Sequence, residues 1–528
     1  MAHRLLSGAG AALWVGLVLV PLVCLYSAAW RSPLSADAAR AADQCLTLLP
    51  WSLLLAAGIA AASVVLGYVP GKLLGTAQRG RAALFFVILA PLLLPRYLYY
   101  SAWWQLRAPT GMLGSWLNEQ PAAVPQAAAA VNAALAMVLW YWPLAALLVA
   151  QGWRNVDGEV LRSARLEAGA WQRWTRIVLP MLARPLGLAF VVCFVFILSE
   201  YGAFHLARVW TFGAKLGALY AETGQVAAVA RAALPLAAVA VLVSLALSKR
   251  LEDLSLEAPL DVPAWTRRAW QWWTLAALVA LSVAAPLGLL VANVNWAAAA
   301  GQFRGLPWDK LLVSLIVAVG GAAVALVMAA GVLATERLGP AGRWPAQVMQ
   351  AGLLFAMFAP GSLVGAAIKE AQSVLGLGGA PGEAWWILSA GMAVRFAGVA
   401  LVILRLTRDA SERHFAEMAG VDGAGAIQVW RYVHWPRTWP VVAGAGMLVA
   451  MFGLTEVPAT SILLEPDMPN FAYWLLDRMH FMEEQSVILA CLMLVAVYVA
   501  PVAVAAAALG ARAWRRPNGR RAGEQGNR

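Results

Sequence analysis

Charged side chains are scarce in this sequence: Asp, Glu, Lys and Arg make up 12% of 528 residues, against about 25% in ordinary globular chains. Hydrophobic residues reach 62% and the mean hydropathy is +0.70, which is more apolar surface than a soluble core buries. The composition excludes a cytosolic enzyme, a disordered protein and a nucleic-acid binder, and it predicts an integral membrane protein. The net charge of +12 comes from Lys and Arg dispersed between apolar runs, a pattern typical of topology signals.

Cysteine is also rare, and the common motifs of catalytic sites are missing. The sequence has no CxxC pair, no GxxxxGK[ST] phosphate loop, no HExxH and no serine nucleophile elbow. Five histidines are dispersed, and we expect each to make a local polar contact. The chain is therefore predicted not to be an enzyme and to hold no metal or cofactor of its own. We expect free, buried thiols at the four cysteines, which are Cys24, Cys45, Cys193 and Cys491.

Twelve apolar runs are long enough to cross a bilayer, at about 20 residues each. None of them alternates as a strand does, so we predict an all-α membrane protein with twelve transmembrane helices. Their approximate positions are 10–29, 50–69, 82–104, 126–150, 185–206, 229–248, 269–294, 310–335, 347–368, 384–404, 438–463 and 487–511.

The basic residues predict the orientation of the chain. With the amino terminus in the cytoplasm, 27 of the 39 Lys and Arg fall in cytoplasmic segments and 10 in the opposite loops. The remaining two, Arg96 and Arg395, lie inside spans. We therefore predict a multi-pass protein of the bacterial inner membrane with both termini in the cytoplasm and a basic cytoplasmic tail at 513–528.

Two long cytoplasmic loops, 152–184 and 405–437, follow one pattern. Each has a helical start, a glycine-centred break, an amphipathic stretch with Trp and Arg, and a hydrophobic-Pro step into the next span. Pro180 and Pro436, which close these loops, are 256 residues apart, close to half the chain. This offset indicates an internal repeat.

A second pair of landmarks has the same offset. Glu200 and Glu456 each follow the closing proline by twenty residues, inside an apolar run, in the shared pattern Leu, hydroxyl residue, Glu. We therefore predict two homologous six-span halves, 1–248 and 269–512. The Pro-containing segment 249–268 would be the cytoplasmic linker between them.

The second loop resembles the cytoplasmic signature of the permeases of ABC importers: Glu-Ala-Ala, three residues, Gly, nine residues, an aliphatic residue, one residue, Leu-Pro. The spacing matches throughout, with Met418 and Trp435 departing from the usual Ala and Leu. The first loop is less regular: the gap from its glycine to the aliphatic Ile177 is seven residues, and Arg162 stands where Glu is usual. The residues that the resemblance assigns to ATPase coupling are Ala164, Gly169, Leu179, Pro180, Glu417, Ala419, Gly423, Val433 and Pro436.

The segments SEYGAF (199–204) and LTEVPATSILLEP (454–466) are similar to parts of the permeases for ferric iron and for thiamine, which also fuse two six-span halves. The resemblance implies a type I importer fold and the function of forming the solute path. Its implied partners are two copies of an ABC ATPase subunit, which would supply ATP-Mg, an extracytoplasmic solute-binding protein and membrane lipid. Nucleic acid is not an expected partner. Ferric iron is the favoured solute, with thiamine, a polyamine or an oxyanion as alternatives.

Two other classes of function fit part of the sequence. A secondary transporter driven by an ion gradient would also have twelve spans and membrane-embedded acids, but it has no need of two glycine-broken loops. A multispan transferase would need a cluster of acids or histidines at one interface, which the sequence does not indicate.

The two acidic residues also predict a site. An ionisable side chain within a span costs at least about 2–3 kcal/mol, so it normally faces a cavity or a partner. Because Glu200 and Glu456 hold equivalent places in the two halves, we expect both to reach one central passage and to attract a cation. The alternative is that each carboxylate caps a broken helix or pairs with an arginine such as Arg395.

Overall fold

The computed structural model describes residues 2–77, 80–108, 111–251, 268–377, 385–406, 418–419, 421–465, 468–481 and 483–514. These residues contain many helices and no β-strand, as the sequence predicts. Most of the predicted linker, the tail from residue 515 and Glu417 lie outside the described residues. All four cysteines are free, as expected; three are buried and Cys24 is half-buried.

Among the described residues we label twelve helical segments, α1 to α12, by the predicted apolar runs that they overlap. Segments α3, α6 and α9 each consist of two helices separated by a bend. The bounds are α1 Arg4–Arg31, α2 Ala36–Thr76, α3 Arg81–Leu89 with Arg96–Trp104, α4 Ala123–Arg154, α5 Ala170–Leu198, α6 Val226–Ala232 with Leu234–Arg250, α7 Ala269–Ala292, α8 Trp308–Glu336, α9 Pro340–Phe358 with Gly361–Val374, α10 Trp385–Arg405, α11 Trp435–Leu454 and α12 Glu484–Trp514.

Among the described residues, seven helices are long and apolar enough to cross a membrane, or ten if each bent pair is one span. The bends are 73° in α3, 59° in α6 and 115° in α9. The predicted runs 185–206 and 438–463 are not single helices. Segments α5 and α11 end at Leu198 and Leu454, and separate helices begin at Gly202 and Pro458. The fold is thus an all-helical one with seven to ten candidate spans.

Shorter helices connect these segments. Those used below are Gly158–Glu167, Ala170–Arg173, Gly202–Leu206, Phe212–Thr223, Pro458–Leu463 and Phe471–His480, and four others are Gly114–Asn118, Trp296–Arg304, Ala426–Val429 and Trp430–His434. Of these, Ala170–Arg173 is the first turn of α5, and Trp430–His434 is a π-helical turn that leads into α11.

Four π-helical turns have one local cause. They occur at Val15–Leu19, Trp174–Val178, Ala280–Ala284 and Trp430–His434, and a proline follows each one two residues later. Proline has no N–H to donate and its ring crowds the preceding turn, so the helix widens there rather than breaks. The turns in α1 and α7 are 265 residues apart, and those at the starts of α5 and α11 are 256 apart.

Polar contacts at helix ends also recur. The hydroxyl of Ser52 accepts the N–H of Phe212 (2.7 Å), and that of Ser314 accepts the N–H of Phe471 (2.8 Å). In each case a helix in the second part of one half begins against α2 or α8. The two halves of the chain therefore repeat the same buried bond, at equivalent places in the element order.

The first helix of each half of the chain packs against a helix of the other half. Segment α1 lies against α8, where Gly10 and Gly331 approach so closely that a Cβ on Gly10 would lie 2.5 Å from the Gly331 Cα. At the same contact the hydroxyls of Ser7 and Thr335 are 2.8 Å apart. Correspondingly, α7 crosses to the first half, where Trp142 of α4 donates its indole N–H to Ser282 (2.8 Å). Both contacts join residues from different halves of the sequence.

Candidate functional site

Glu200 and Glu456 lie in equivalent breaks of the chain. Segments α5 and α11 end at Leu198 and Leu454, and each glutamate follows two residues later, just before a short helix. Both side chains are buried, with 4% and 1% of the residue exposed. Breaks of this kind place irregular backbone and an acidic side chain at the depth of the apolar helices, which is tolerated where they line a cavity.

Each carboxylate caps the helix that follows it. Glu200 Oε1 accepts the N–H of Gly202 at 3.2 Å, and Glu456 Oε1 accepts the N–H of Ala459 at 3.4 Å. The first N–H groups of a helix have no partner within the helix, so each of these bonds satisfies one of them. The structure therefore contains the helix caps that the alternative prediction described.

One arginine lies between the two glutamates. Arg96 Nη1 is 2.5 Å from Glu200 Oε2, and Arg96 Nη2 is 3.9 Å from Glu456 Oε2. Its guanidinium also lies over the ring of Trp140, 5.4 Å from the ring centroid. Glu200 belongs to the first half of the sequence and Glu456 to the second, so Arg96 contacts acids from both halves. Arg395 was the example of an arginine partner drawn from the sequence; the ion-pair partner in the structure is Arg96.

Arg395 lies in the same region, but it bonds to backbone carbonyls rather than to a carboxylate. Its Nη1 donates to the backbone carbonyls of Met357 (2.7 Å), Ala356 (3.2 Å) and Ala359, which are the last residues before the 115° bend of α9. The end of a helix leaves carbonyls without partners, and a buried cation satisfies them. The carbonyl of Leu94 lies directly before Pro95 in α3, as that of Ala359 lies before Pro360 in α9. It accepts the indole N–H of Trp140 at 2.9 Å.

Together Arg96, Glu200, Arg395 and Glu456 line a small cavity, which we call the charged cavity. Its volume is about 30 Å³, enough for roughly two water molecules. Two cations and two anions face it, so the formal charge sums to zero. The structure thus brings the two predicted acids together, and it adds Arg96, which sequence reasoning noted only as an arginine within a span.

The glycine at the bend of α9 makes room for one of the acids. Gly361 is the first residue after Pro360, as Arg96 is the first after Pro95, and the two prolines have nearly the same backbone angles. A Cβ on Gly361 would lie 2.2 Å from Glu456 Oε1. At this repeated position one half carries the arginine and the other carries no side chain.

A stack of three rings lies next to the charged cavity. Tyr201 follows Glu200 and its ring stacks on His205, with centroids 4.7 Å apart and planes at 20°. His205 stacks in turn on His480 of the second half, 5.0 Å away at 19°. His205 and His480 lie in the helices Gly202–Leu206 and Phe471–His480, and Tyr201 directly precedes the first of these. Both helices are outside the span-length helices. Burial, with a smaller contribution from the charge of His480, lowers the pKa of His205 to about 4.

The second cytoplasmic loop turns at Gly423. The N–H of Ala424 bonds to the carbonyl of Ala419 at 2.9 Å, across a glycine with φ of +81°. A six-to-one bond around a left-handed glycine is the Schellman ending of a helix, and it satisfies a free carbonyl. Ala419 is half-buried, whereas the neighbouring Met418 is exposed. Val433 is half-buried and Pro436 is exposed at the start of α11.

The first loop is built differently. The helix Gly158–Glu167, which contains buried Ala164, is capped by Asp157. Gly169 has an extended conformation with φ of −62°, and the helix Ala170–Arg173 begins directly after it. Gly425 holds the same place before Ala426 in the second loop, 256 residues on. By position, Gly169 is therefore equivalent to Gly425 rather than to Gly423, and seven residues separate each of these glycines from an aliphatic residue, Ile177 or Val433. Leu179 is half-buried and Pro180 exposed at the π-helical turn.

Both loops carry exposed apolar side chains beside these glycines. On the first loop Leu166 is 89% exposed and Trp171 73%, and the Trp171 ring stacks on Trp174 at 5.5 Å. On the second loop Val421 is 89% exposed and Tyr432 70%. Exposed apolar side chains in a connecting loop are available for contact with a partner.

The comparisons with known proteins assign no family to the chain. No model of a known protein family matches it, and no curated protein is similar to it at a significant level. Among the described residues, no group of three or more His, Cys, Asp and Glu side chains is arranged to hold a metal ion.

Proposed function

We propose that this chain is the membrane permease subunit of an ATP-driven importer and forms the path of the solute. The observation that carries the proposal is the second loop, where the backbone turns at Gly423 and the side chains of Val421 and Tyr432 are exposed. The turn satisfies a backbone carbonyl, and exposed apolar side chains can fill a groove on a partner protein.

In this proposal, the two loops dock into grooves on two copies of an ABC ATPase subunit, which supplies ATP-Mg and hydrolysis. The coupling residues are Ala164, Gly169, Leu179 and Pro180 in the first loop, and Glu417, Ala419, Gly423, Val433 and Pro436 in the second. An extracytoplasmic solute-binding protein delivers the solute on the other face. The sequence supports the use of outside ATPases, since the chain has no phosphate-binding loop of its own.

The recurring features of the fold support an arrangement of two six-span halves about a pseudo-two-fold axis. The paired π-helical turns, the bonds of Ser52 and Ser314, and the breaks at Glu200 and Glu456 all repeat in order. We propose twelve spans in the inner membrane, with both termini in the cytoplasm. Cysteines placed in alternate loops and labelled by a membrane-impermeant maleimide would test the orientation.

The charged cavity is the proposed narrow point of the solute path, and its acids favour a cationic solute. Ferric iron remains the first candidate and thiamine the second, on the resemblance of the segments 199–204 and 454–466 alone. Uptake of each solute by the reconstituted complex would separate the two.

Partner dependence is the decisive test of the proposal. The chain should copurify with an ATPase dimer and move solute in liposomes only when the ATPase and ATP are present. Gly423→Pro should abolish ATP-driven uptake while leaving membrane insertion unchanged. Transport by the purified chain alone on a proton or sodium gradient would instead establish a secondary transporter.

A further inference from the structure

The charged cavity contains a cation that belongs to the protein. Among the described residues, Arg96 is the only cationic side chain within 4.0 Å of either carboxylate. Arg395 faces the same cavity, but its Nη1 is bonded to three carbonyls of α9. Within ion-pair distance the two acids thus share one cation, held closely by Glu200 and loosely by Glu456.

The bend of the helix does not require this arginine. Segment α9 makes a sharper bend than α3 and has glycine at the matching position, so the proline of each bend is sufficient for its geometry. Arg96 is therefore explained by what it contacts rather than by the helix that carries it. Its contacts are the two acids and the face of Trp140.

Electrostatics explains why a cation has to lie there. Two carboxylates that face one buried cavity repel each other, and a buried charge without a partner is costly. Arg96 removes this cost by placing a guanidinium between them. Its two distances, 2.5 Å and 3.9 Å, are unequal, so the pairing with Glu456 is the weaker one. A cation that binds both acids equally well could replace it.

We propose that Glu200 and Glu456 form a cation-binding site, and that the guanidinium of Arg96 occupies this site while the passage is closed. A cationic solute displaces Arg96, so the site stays neutralised throughout transport and the carboxylates are never left unpaired. Arg96 also closes the cavity in the absence of solute. The role in transport rests on the proposed function, whereas the binding site itself does not.

Binding to the purified full-length chain in detergent tests the site without any ATPase. The probe is Mn²⁺, a hard cation that prefers carboxylate ligands and is detected by electron paramagnetic resonance. We expect Arg96→Gln to bind Mn²⁺ at least about tenfold more tightly than the unmodified chain. The matched control is Arg107→Gln, because Arg107 also belongs to the α3 region but bonds to Tyr100, outside the cavity. Adding Glu200→Gln to Arg96→Gln should remove the gain.

A second measurement covers the case in which Arg96→Gln does not fold. Arg96→Ala leaves space for a free guanidinium ion, and low-millimolar guanidinium should raise its Tm while an equal concentration of sodium does not. The unmodified chain should show no such difference. Equal Mn²⁺ binding by Arg96→Gln, Arg107→Gln and the unmodified chain would overturn the proposal, as would equal responses of Arg96→Ala to the two salts. ATPase copurification would be unaffected by either result, so the proposed function would stand or fall separately.

Discussion

Gly361 lies directly against the carboxylate of Glu456: a Cβ at this glycine would be 2.2 Å from Oε1, 3.1 Å from the Pro458 Cβ and 3.4 Å from the Ala459 nitrogen. The glycine therefore leaves the space in which the acid caps the next helix. The same bend in the first half places Arg96 at this position, and that arginine extends toward the acids of both halves. The two halves thus differ at this position, glycine against arginine, and the arginine is the side chain that lies between the two acids.

Gly361→Ala tests this relationship. We expect the added methyl to displace the Glu456 carboxylate, to break its bond to Ala459 and to cost about 1–3 kcal/mol of stability. Uptake by the reconstituted complex should fall together with the stability of this variant. Gly58→Ala is the control, because a Cβ on Gly58 meets no atom within 4 Å. Equal melting temperatures for the two variants would show that the cavity accommodates the added methyl group without a loss of stability.

The two acids should differ in their effect on stability. Arg96 is 2.5 Å from Glu200 and 3.9 Å from Glu456, so neutralising Glu200 removes its closer partner. Breaking a buried ion pair costs about 3–5 kcal/mol because a charge remains without a partner. We expect Glu200→Gln to lower the Tm more than Glu456→Gln. Uptake and solute-stimulated ATPase activity should fall in both variants and most in the double variant. Unchanged uptake in the double variant would remove the acids from the mechanism.

The glycines of the cytoplasmic loops should tolerate substitution unequally. Gly423 has φ of +81°, a conformation that costs a β-branched residue at least about 1 kcal/mol, whereas Gly169 has φ of −62° and no atom near its Cβ position. Gly423→Val should therefore reduce ATP-driven uptake much more than Gly169→Val, at equal membrane expression. Gly425→Val, at the position equivalent to Gly169, should behave like Gly169→Val. Equal loss in all three would indicate a role for the glycines other than backbone conformation.

The sequence predicted the helical class and many apolar helices, and it paired two distant acids that the structure brings to one cavity. It did this because apolar periodicity and the 256-residue offset are properties of the chain itself. The bends of α3, α6 and α9 were not predicted, since a proline within an apolar run is compatible with a kink or with a break. Arg96 was visible as an arginine within a span, but its choice of Glu200 depends on packing between distant segments. The equivalence of Gly169 with Gly425 was not predicted, because it depends on where the helices that follow these glycines begin.

His205 should make the stability of the chain depend on pH. Its pKa in the folded protein is about 4, below the ordinary 6.5, because burial disfavours the charged ring and His480 stacks on it. Between these two values the unfolded chain binds more protons than the folded one, so this contribution to stability is complete above about pH 6.5 and is lost as the pH falls toward 4. The Tm should therefore decrease on acidification across this range. His205→Phe keeps an aromatic ring between Tyr201 and His480 and cannot be protonated, so its Tm should decrease less, when both proteins are measured in detergent across the same pH series. An identical decrease in the two proteins would show that other groups account for the acid sensitivity.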